Sequence, residues 1–392
     1  MPSRALRAGA ATAAWWMLAL VVAAALLAAT RFHTRDADSR VYLAIGAHLA
    51  EAPPSRWIAP QWWGVWGMQG LYREHPIGTF LAPVLLIRAG FPPAEAAFVT
   101  TLAAQVVSLM LLVALAARFV PAPEARALAW TLQLLPVAFV FRIRANQEYL
   151  LLAGLLLAVY GVERARGHAA WILAALAGFV YALLVKGLFA LLVPVLAIVW
   201  LVVTPARPGE RSAPAWTAVG LMLVAAPVLA VAYEHAYVAA TGQSFFDYYF
   251  GLRLSLAGGS SSGADLPFPI DKLWNAVWYG AHVAWYAAPW SLALAAAAVA
   301  RRTWTNPDRR ARAWVLFGLL GTAATVAVAS SRDQRSDRYT FVAYFLAGAG
   351  GTAVACGWSP RCARWAAVLD RGWPWGPVVL WLALFASRLV LG

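Results

Sequence analysis

The sequence predicts an all-α protein that crosses a membrane many times. Of its 392 residues, 62% are hydrophobic and only 12% are charged, whereas a soluble domain carries about 25% charged residues. Apolar runs long enough to cross a bilayer recur from residue 13 to residue 391. These runs do not alternate in polarity as barrel strands do, and their apolar content excludes intrinsic disorder.

Eleven apolar segments are predicted as full spans, and together they form one transmembrane domain over residues 1–392 without a separate soluble domain. The first is interpreted as a signal anchor, because it is too long for a cleavable signal peptide. The predicted spans are about 13–31, 94–118, 125–141, 148–163, 170–185, 187–203, 214–239, 275–300, 313–330, 339–356 and 373–391.

Short basic loops predict the orientation of the chain. Arginines cluster at 4–7, 164–166, 207–211, 301–312 and 361–371, and such clusters are typical of cytoplasmic loops. The N-terminus is therefore expected in the cytoplasm, with residues 32–93 and 240–274 forming two large outer loops. The net charge of +14 follows from this topology and does not indicate a nucleic-acid partner. Two cysteines, Cys356 and Cys362, form neither a metal-ligand set nor a disulfide framework.

Three segments of the outer loops have recognisable local patterns. Residues 75–90 are apolar but too short for a span, and a full crossing there would invert every later loop, so they are predicted to form a re-entrant or interfacial helix. Residues 39–51 place Val41, Ile45 and Leu49 on one face of an amphipathic helix lying on the membrane. Residues 257–264 are expected to be a flexible linker.

Asp36 and Asp38 follow the first span and are the candidate catalytic acids. A carboxylate at the membrane surface can deprotonate or orient an acceptor hydroxyl, and the neighbouring Arg35 and Arg40 would keep it ionised. The alternative is an acidic pair that only neutralises these arginines, and composition alone favours this alternative.

Cationic residues recur in the short outer segments. Arg73-Glu74-His75 leads into a helix that starts at Pro76 and could bind an anion, or could be a membrane anchor. Lys186 interrupts a long apolar run at a predicted tight turn, where it is either a phosphate ligand or simply the polar part of that turn. Two more outer turns carry Arg142, Arg144, Asn146 and Glu148, and Arg332, Arg335, Asp337, Arg338 and Tyr339. Arg253, after an aromatic run, is a weaker candidate.

These outer turns are predicted to form a pocket for an anionic lipid headgroup with an acid beside it. Their motifs resemble those of the GT-C superfamily of integral-membrane glycosyltransferases. The similar branch contains the lipid A aminoarabinose transferase and the protein O-mannosyltransferases. The matching motifs, in order, are Asp38-Ser39-Arg40-Val41-Tyr42, Glu74-His75-Pro76-Ile77, Arg144 to Glu148, Leu184-Val185-Lys186-Gly187 and Arg338-Tyr339.

The resemblance implies a GT-C-like fold and an inverting transfer of a sugar from a polyprenyl-phosphate donor to a hydroxyl of a lipid, glycan or protein acceptor. Asp38 would be the general base, with Asp36 as the alternative. Lys186, Arg338, His75 and Arg144 would bind the donor phosphate. The substrate-binding candidates are Tyr42, Arg40, Glu74, Glu148, Tyr339 and Arg253.

The chain departs from the family motifs at two positions: Ser39 replaces the usual glutamate and Ile77 replaces the second proline. The missing glutamate makes a divalent metal doubtful, and no other cofactor is expected. Since the composition is rich in alanine and arginine, a bacterial inner membrane with a periplasmic active site is expected. The alternative function is a flippase or transporter of a polyprenyl-linked or other anionic lipid. It is disfavoured because the polar residues gather on one side rather than at the bilayer midplane.

Overall fold

The fold is that of a computed structural model, which describes residues 36–133, 135, 137–138, 144–258, 269–300, 309–331, 335–358 and 360–371. The predicted signal anchor, most of the predicted linker, most of the basic loop at 301–312 and the last predicted span lie outside these residues. The described helices are α1 Ala37–Glu51, α2 Gly78–Arg88, α3 Pro93–Ala116, α4 Ala122–Gln133, α5 Glu148–Ala165, α6 Trp171–Lys186, α7 Leu192–Val203, α8 Ser212–Thr241, α9 Phe245–Gly258, α10 Ile270–Tyr286, α11 Trp290–Val299, α12 Arg309–Ser330, α13 Phe341–Trp358 and α14 Pro360–Arg371.

The described residues confirm a multi-pass, helical membrane protein. By length and composition, five helical segments can cross a membrane, or six if one bent helix pair counts as a single span. That pair is α10 and α11, which lie where one span over 275–300 was predicted but which are bent by 119°. The basic segment after α13, predicted to be a loop, forms helix α14.

The run Trp171–Val203 counts as one of these segments, but its contacts show that it reverses direction. Lys186 contacts Glu148 at the start of α5, whereas Trp200 donates a hydrogen bond to Glu163 near the end of α5. A short 3-10 helix, Gly187–Leu191, connects the two antiparallel parts. The predicted tight turn between two helices at Lys186-Gly187 is therefore confirmed.

Helices α1 and α2 form a layer at the end of the bundle where α5 begins, which we call the Asp38 end. At about 1.5 Å per residue, the 11-residue α2 is roughly 16 Å long, too short for a hydrocarbon core of about 30 Å. The apolar face predicted for α1 is present, with Ile45 and Leu49 fully buried. This face packs on protein, in a cluster with Trp62, Tyr72 and Phe80, where the sequence predicted contact with lipid.

Buried charges fix the opposite end of α5. Glu163 pairs with Arg118, lies 3.6 Å from Arg166, and accepts a hydrogen bond of 2.9 Å from the Trp200 indole. Arg118 also makes two hydrogen bonds of 2.9 Å to the Glu210 carboxylate. These contacts join the end of α5 to α7 and to the segments that follow α3 and α7. They therefore fix the position of α5 at the end opposite the Asp38 end.

Close backbone packing of α5 against α6 depends on small residues. A Cβ atom at Gly178 would lie 2.5 Å from the Gly154 carbonyl oxygen and 2.6 Å from the Ala158 nitrogen. Backbone cannot move aside as a flexible side chain can, so the helices would have to separate.

Gly178→Ala is therefore expected to destabilise the protein by about 1–3 kcal/mol in thermal unfolding in detergent. Gly220→Ala, also in a helix, is the matched control, because its Cβ would meet no atom within 4 Å. Equal unfolding temperatures for these two variants would contradict close packing of α5 on α6.

Candidate active site

Asp36 is the N-cap of α1. Its Oδ2 accepts hydrogen bonds from the Ser39 backbone N–H at 3.0 Å and from the Ser39 hydroxyl at 2.7 Å. Its Oδ1 lies 3.4 Å from Arg144 Nε. These contacts engage both carboxylate oxygens in holding α1, which favours a structural role for Asp36.

Asp38, in the first turn of α1, pairs with Arg338 at the N-terminal end of α13. Both side chains reach solvent, with exposed fractions of 26% for Asp38 and 36% for Arg338. Partial burial raises the pKa of Asp38 above its usual value, although the charge of Arg338 opposes this shift. The nearby charges of Asp36 and Glu148 add to the increase. Asp38 is therefore an accessible carboxylate whose affinity for a proton is increased.

Contacts with the turn before α5 hold α1 in its orientation. The Ser39 hydroxyl accepts a hydrogen bond of 2.9 Å from the Ala145 N–H, and the Tyr42 hydroxyl accepts one of 2.8 Å from Gln147. Tyr42 is buried, and this burial raises its pKa well above the usual value, so its hydroxyl stays neutral. Sequence reasoning missed Gln147, although it lies among the polar residues of a turn already singled out.

Lys186 and Glu148 form a buried ion pair, with 2.9 Å between Lys186 Nζ and Glu148 Oε1. Their side chains are only 4% and 2% exposed. The ammonium group also lies 5.7 Å from the Phe189 ring centre and 6.0 Å from that of Tyr339. The structure thus brings together three predicted residues, Lys186, Glu148 and Tyr339, and it pairs the lysine with a carboxylate.

The first turn of α2 lies against the end of α6, beside the turn at Lys186-Gly187. The Thr79 hydroxyl donates a hydrogen bond to the Val185 carbonyl, and a Cβ at Gly78 would lie 2.5 Å from the carbonyl carbon of Leu184. Glu74 and His75, in the segment before α2, are partly buried. Arg73 instead reaches away, donating to the Ser244 carbonyl and stacking on Tyr248 at 4.4 Å.

Most of the predicted site residues converge at the Asp38 end, but two do not take part in the described contacts. Arg40 is exposed on α1, and the Arg253 side chain lies outside the part that the structure describes. The residues that converge are Asp36, Asp38, Tyr42, Glu74, Arg144, Glu148, Lys186, Arg338 and Tyr339. His75 directly precedes Pro76 in the chain and is partly buried.

An apolar groove of about 620 Å³ starts beside this cluster, at Pro76 and Gly187. One wall of the groove consists of leucines 183, 184, 188 and 191. One side of α8, which includes Leu223, Ala226, Pro227 and Ala230, forms another wall, and aromatic residues of α9 complete the groove. Phe245, Phe246, Tyr249 and Phe250, from the aromatic run that precedes Arg253, line this groove.

Among the described residues, no group of three or more His, Cys, Asp and Glu side chains is arranged to hold a metal ion. The expectation about a divalent metal stays a prediction.

Short helices at the Asp38 end lie against a multi-pass helical bundle, with a charged cluster between them. Comparison with solved structures shows that this fold is similar to that of ArnT, an aminoarabinose transferase. ArnT from Cupriavidus metallidurans bound to undecaprenyl phosphate matches with a TM-score of 0.60 at 16% identity, over 97% of this chain and 71% of the ArnT chain. Its apo structure matches with a TM-score of 0.60 at 17% identity, over 93% of this chain and 62% of the ArnT chain. No protein-family model and no curated protein matches the sequence. The predicted GT-C, ArnT-like fold is therefore confirmed.

Proposed function

We propose that the protein is a glycosyltransferase that moves a sugar from a polyprenyl phosphate to an acceptor hydroxyl. The observation that carries this proposal is that an apolar groove and a charged cluster meet at Pro76 and Gly187. A polyprenyl-phosphate sugar has the same division into a long apolar tail and an anionic head. The likeness to an ArnT structure that contains undecaprenyl phosphate supports this assignment.

In the proposed complex, the tail lies in the apolar groove and the phosphate lies among the cations at its end. Arg338, Arg144 and Lys186 each contact a carboxylate in this structure. A donor phosphate would compete with these carboxylates for the same cations. His75, one residue before Pro76, is placed where the groove begins and completes the proposed phosphate-binding set. Charge-assisted hydrogen bonds of this kind are stronger than neutral ones.

Asp38 is the proposed general base. It takes the proton of the acceptor hydroxyl as the acceptor oxygen attacks the anomeric carbon. The bond between that carbon and the phosphate oxygen breaks, and the electron pair leaves with the polyprenyl phosphate. Positioned cations stabilise the charge that develops on this leaving group. The step involves one carboxylate and no covalent intermediate, so inversion at the anomeric carbon is expected.

We propose that four further side chains shape this reaction centre, namely Tyr42, Glu74, Glu148 and Tyr339. Arg40, which is exposed on α1, and Arg253 are proposed to contact the acceptor or the donor. Since the basic segments at 164–166 and 207–211 lie at the Glu163 end of α5, opposite the Asp38 end, we place the active site on the periplasmic face of a bacterial inner membrane. The N-terminus is then cytoplasmic.

The direct test supplies purified protein in nanodiscs with a panel of polyprenyl-phosphate sugars and an envelope extract as acceptor. Release of free polyprenyl phosphate, with inverted configuration in the glycoside formed, is the expected result. Transfer of intact donor across a liposome bilayer without release of the phosphate would identify a flippase and overturn the proposal.

Filling the groove should select against long donors. Ala230→Trp places a large ring in the groove lining and is expected to raise the KM for a long-chain donor about tenfold, the effect of losing about two buried methylene groups. A donor with one or two isoprene units should be unaffected.

The control for this experiment is Val224→Trp. Val224 lies on the same helix and is 61% exposed, but it does not line the groove. An equal KM increase in both variants, or for both donor lengths, would contradict the placement of the tail.

A further inference from the structure

A row of side chains on α10 contacts the segment that leads to Arg338. Asn275, Tyr279 and His282 lie at spacings of four and three residues, so they share one face of the helix. Asn275 Oδ1 accepts a hydrogen bond of 2.8 Å from Arg335 Nε, and the Tyr279 hydroxyl accepts one of 3.3 Å from the Ser336 N–H. His282 Nε2 lies 3.7 Å from Asp337 Oδ1.

The order of these contacts follows the order of the chain. Three residues along α10 engage three consecutive residues, Arg335, Ser336 and Asp337, and the next residue is Arg338. The backbone is extended at Ser336, with φ −156° and ψ 135°. A 3-10 turn, Asp337–Thr340, then leads into α13.

Burial and aromatic packing make these contacts rigid. Asn275 is 2% exposed and Tyr279 is fully buried. The His282 ring packs on Trp278 with 3.6 Å between ring centres, and its Nδ1 is 2.9 Å from the Trp278 carbonyl oxygen. The opposite face of α10 is exposed at Leu273 and Val277, so the polar face is the one that meets protein.

We propose that Asn275, Tyr279 and His282 are positioning residues that hold Arg338 against Asp38. This role rests on the proposed function: α10 would orient Arg338, the cation that receives the donor phosphate. A displacement of about 1 Å in such a group can cost 10²-fold in rate, which gives a physical reason for three contacts in front of one arginine.

The first test does not depend on any substrate. Asn275→Leu removes the acceptor of the Arg335 hydrogen bond and should increase hydrogen–deuterium exchange at amides 336–340 about tenfold, the factor expected for losing one charge-assisted hydrogen bond. Asn275→Asp keeps the acceptor oxygen and should restore wild-type exchange. Val277→Ala, on the exposed face of the same helix, is the control and should not change it. Unchanged exchange in Asn275→Leu, or an equal increase in the control, would overturn the proposal.

A second test measures binding of polyprenyl phosphate alone to the full-length protein. Asn275→Leu should weaken binding about tenfold in the wild type but add no further loss to Arg338→Gln, because it acts through that arginine. Tyr279→Phe should show the same dependence if Asn275→Leu fails to fold. Additive losses would overturn the positioning role. If the wild type binds no polyprenyl phosphate, the proposed function fails, and the exchange measurement alone decides whether α10 holds the 335–338 segment.

Discussion

Asp38→Asn is expected to lower kcat by about 10²–10⁴, the usual contribution of a general base, while donor binding is retained. The amide keeps the size of the carboxylate but cannot accept the hydroxyl proton. It also releases Arg338 from its ion pair, so affinity for polyprenyl phosphate should stay the same or increase. The measurement is single-turnover release of polyprenyl phosphate, together with an equilibrium binding constant for the same lipid.

Asp36→Asn is the matched control for the catalytic role of Asp38. Asp36 caps α1 and contacts Arg144. Because asparagine caps a helix about as well as aspartate, this replacement should change stability little and leave most of the activity. A larger loss of kcat at position 36 than at position 38 would reverse the assignment of the base.

The pH profile provides an independent check on the base. A general base works only when deprotonated, and burial raises the pKa of Asp38 above the ordinary value. As the pH is lowered, kcat/KM should therefore begin to decline at a pH above about 3.9, the ordinary aspartate pKa. This decline should be absent in Asp38→Asn. A decline that survives the substitution would mean that another group controls it.

Local patterns predicted much of this architecture because they depend on residues that are close in sequence. The amphipathic helix at 39–51, the short apolar helix after Pro76 and the reversal at Lys186-Gly187 all follow from spacing, proline and glycine. The resemblance to GT-C motifs predicted one site that contains both Asp38 and Arg338, and the structure pairs these two side chains. Their roles in that site stay a prediction.

Pairings between distant residues could not be predicted from the same patterns. Lys186 was expected to face an anionic ligand, but the close approach of α5 and α6 at Gly154 and Gly178 brings Glu148 against it. Ser39 was interpreted as the loss of a family glutamate, yet its hydroxyl joins Asp36 to the Ala145 N–H. The contacts of Asn275 were also missed, because an isolated amide in an apolar helix gives no signal about its partner.

Lys186→Met is expected to destabilise the protein by about 3–5 kcal/mol, the cost of leaving one partner of a buried ion pair unpaired. In this variant Glu148, which is 2% exposed, loses the ammonium group that lies 2.9 Å from its carboxylate. Thermal unfolding in detergent should show the loss. The double variant Lys186→Met/Glu148→Leu should recover most of the stability, since an apolar pair of similar volume carries no desolvation cost.

The double variant separates the structural role of Lys186 from its proposed role in donor binding. If Lys186 also contacts the donor phosphate, the stable double variant should bind polyprenyl phosphate about 10–100-fold more weakly, the loss expected for one charge-assisted hydrogen bond. Wild-type affinity in a stable double variant would instead mean that the ion pair only joins α5 to α6. The phosphate would then be held by Arg338, Arg144 and His75.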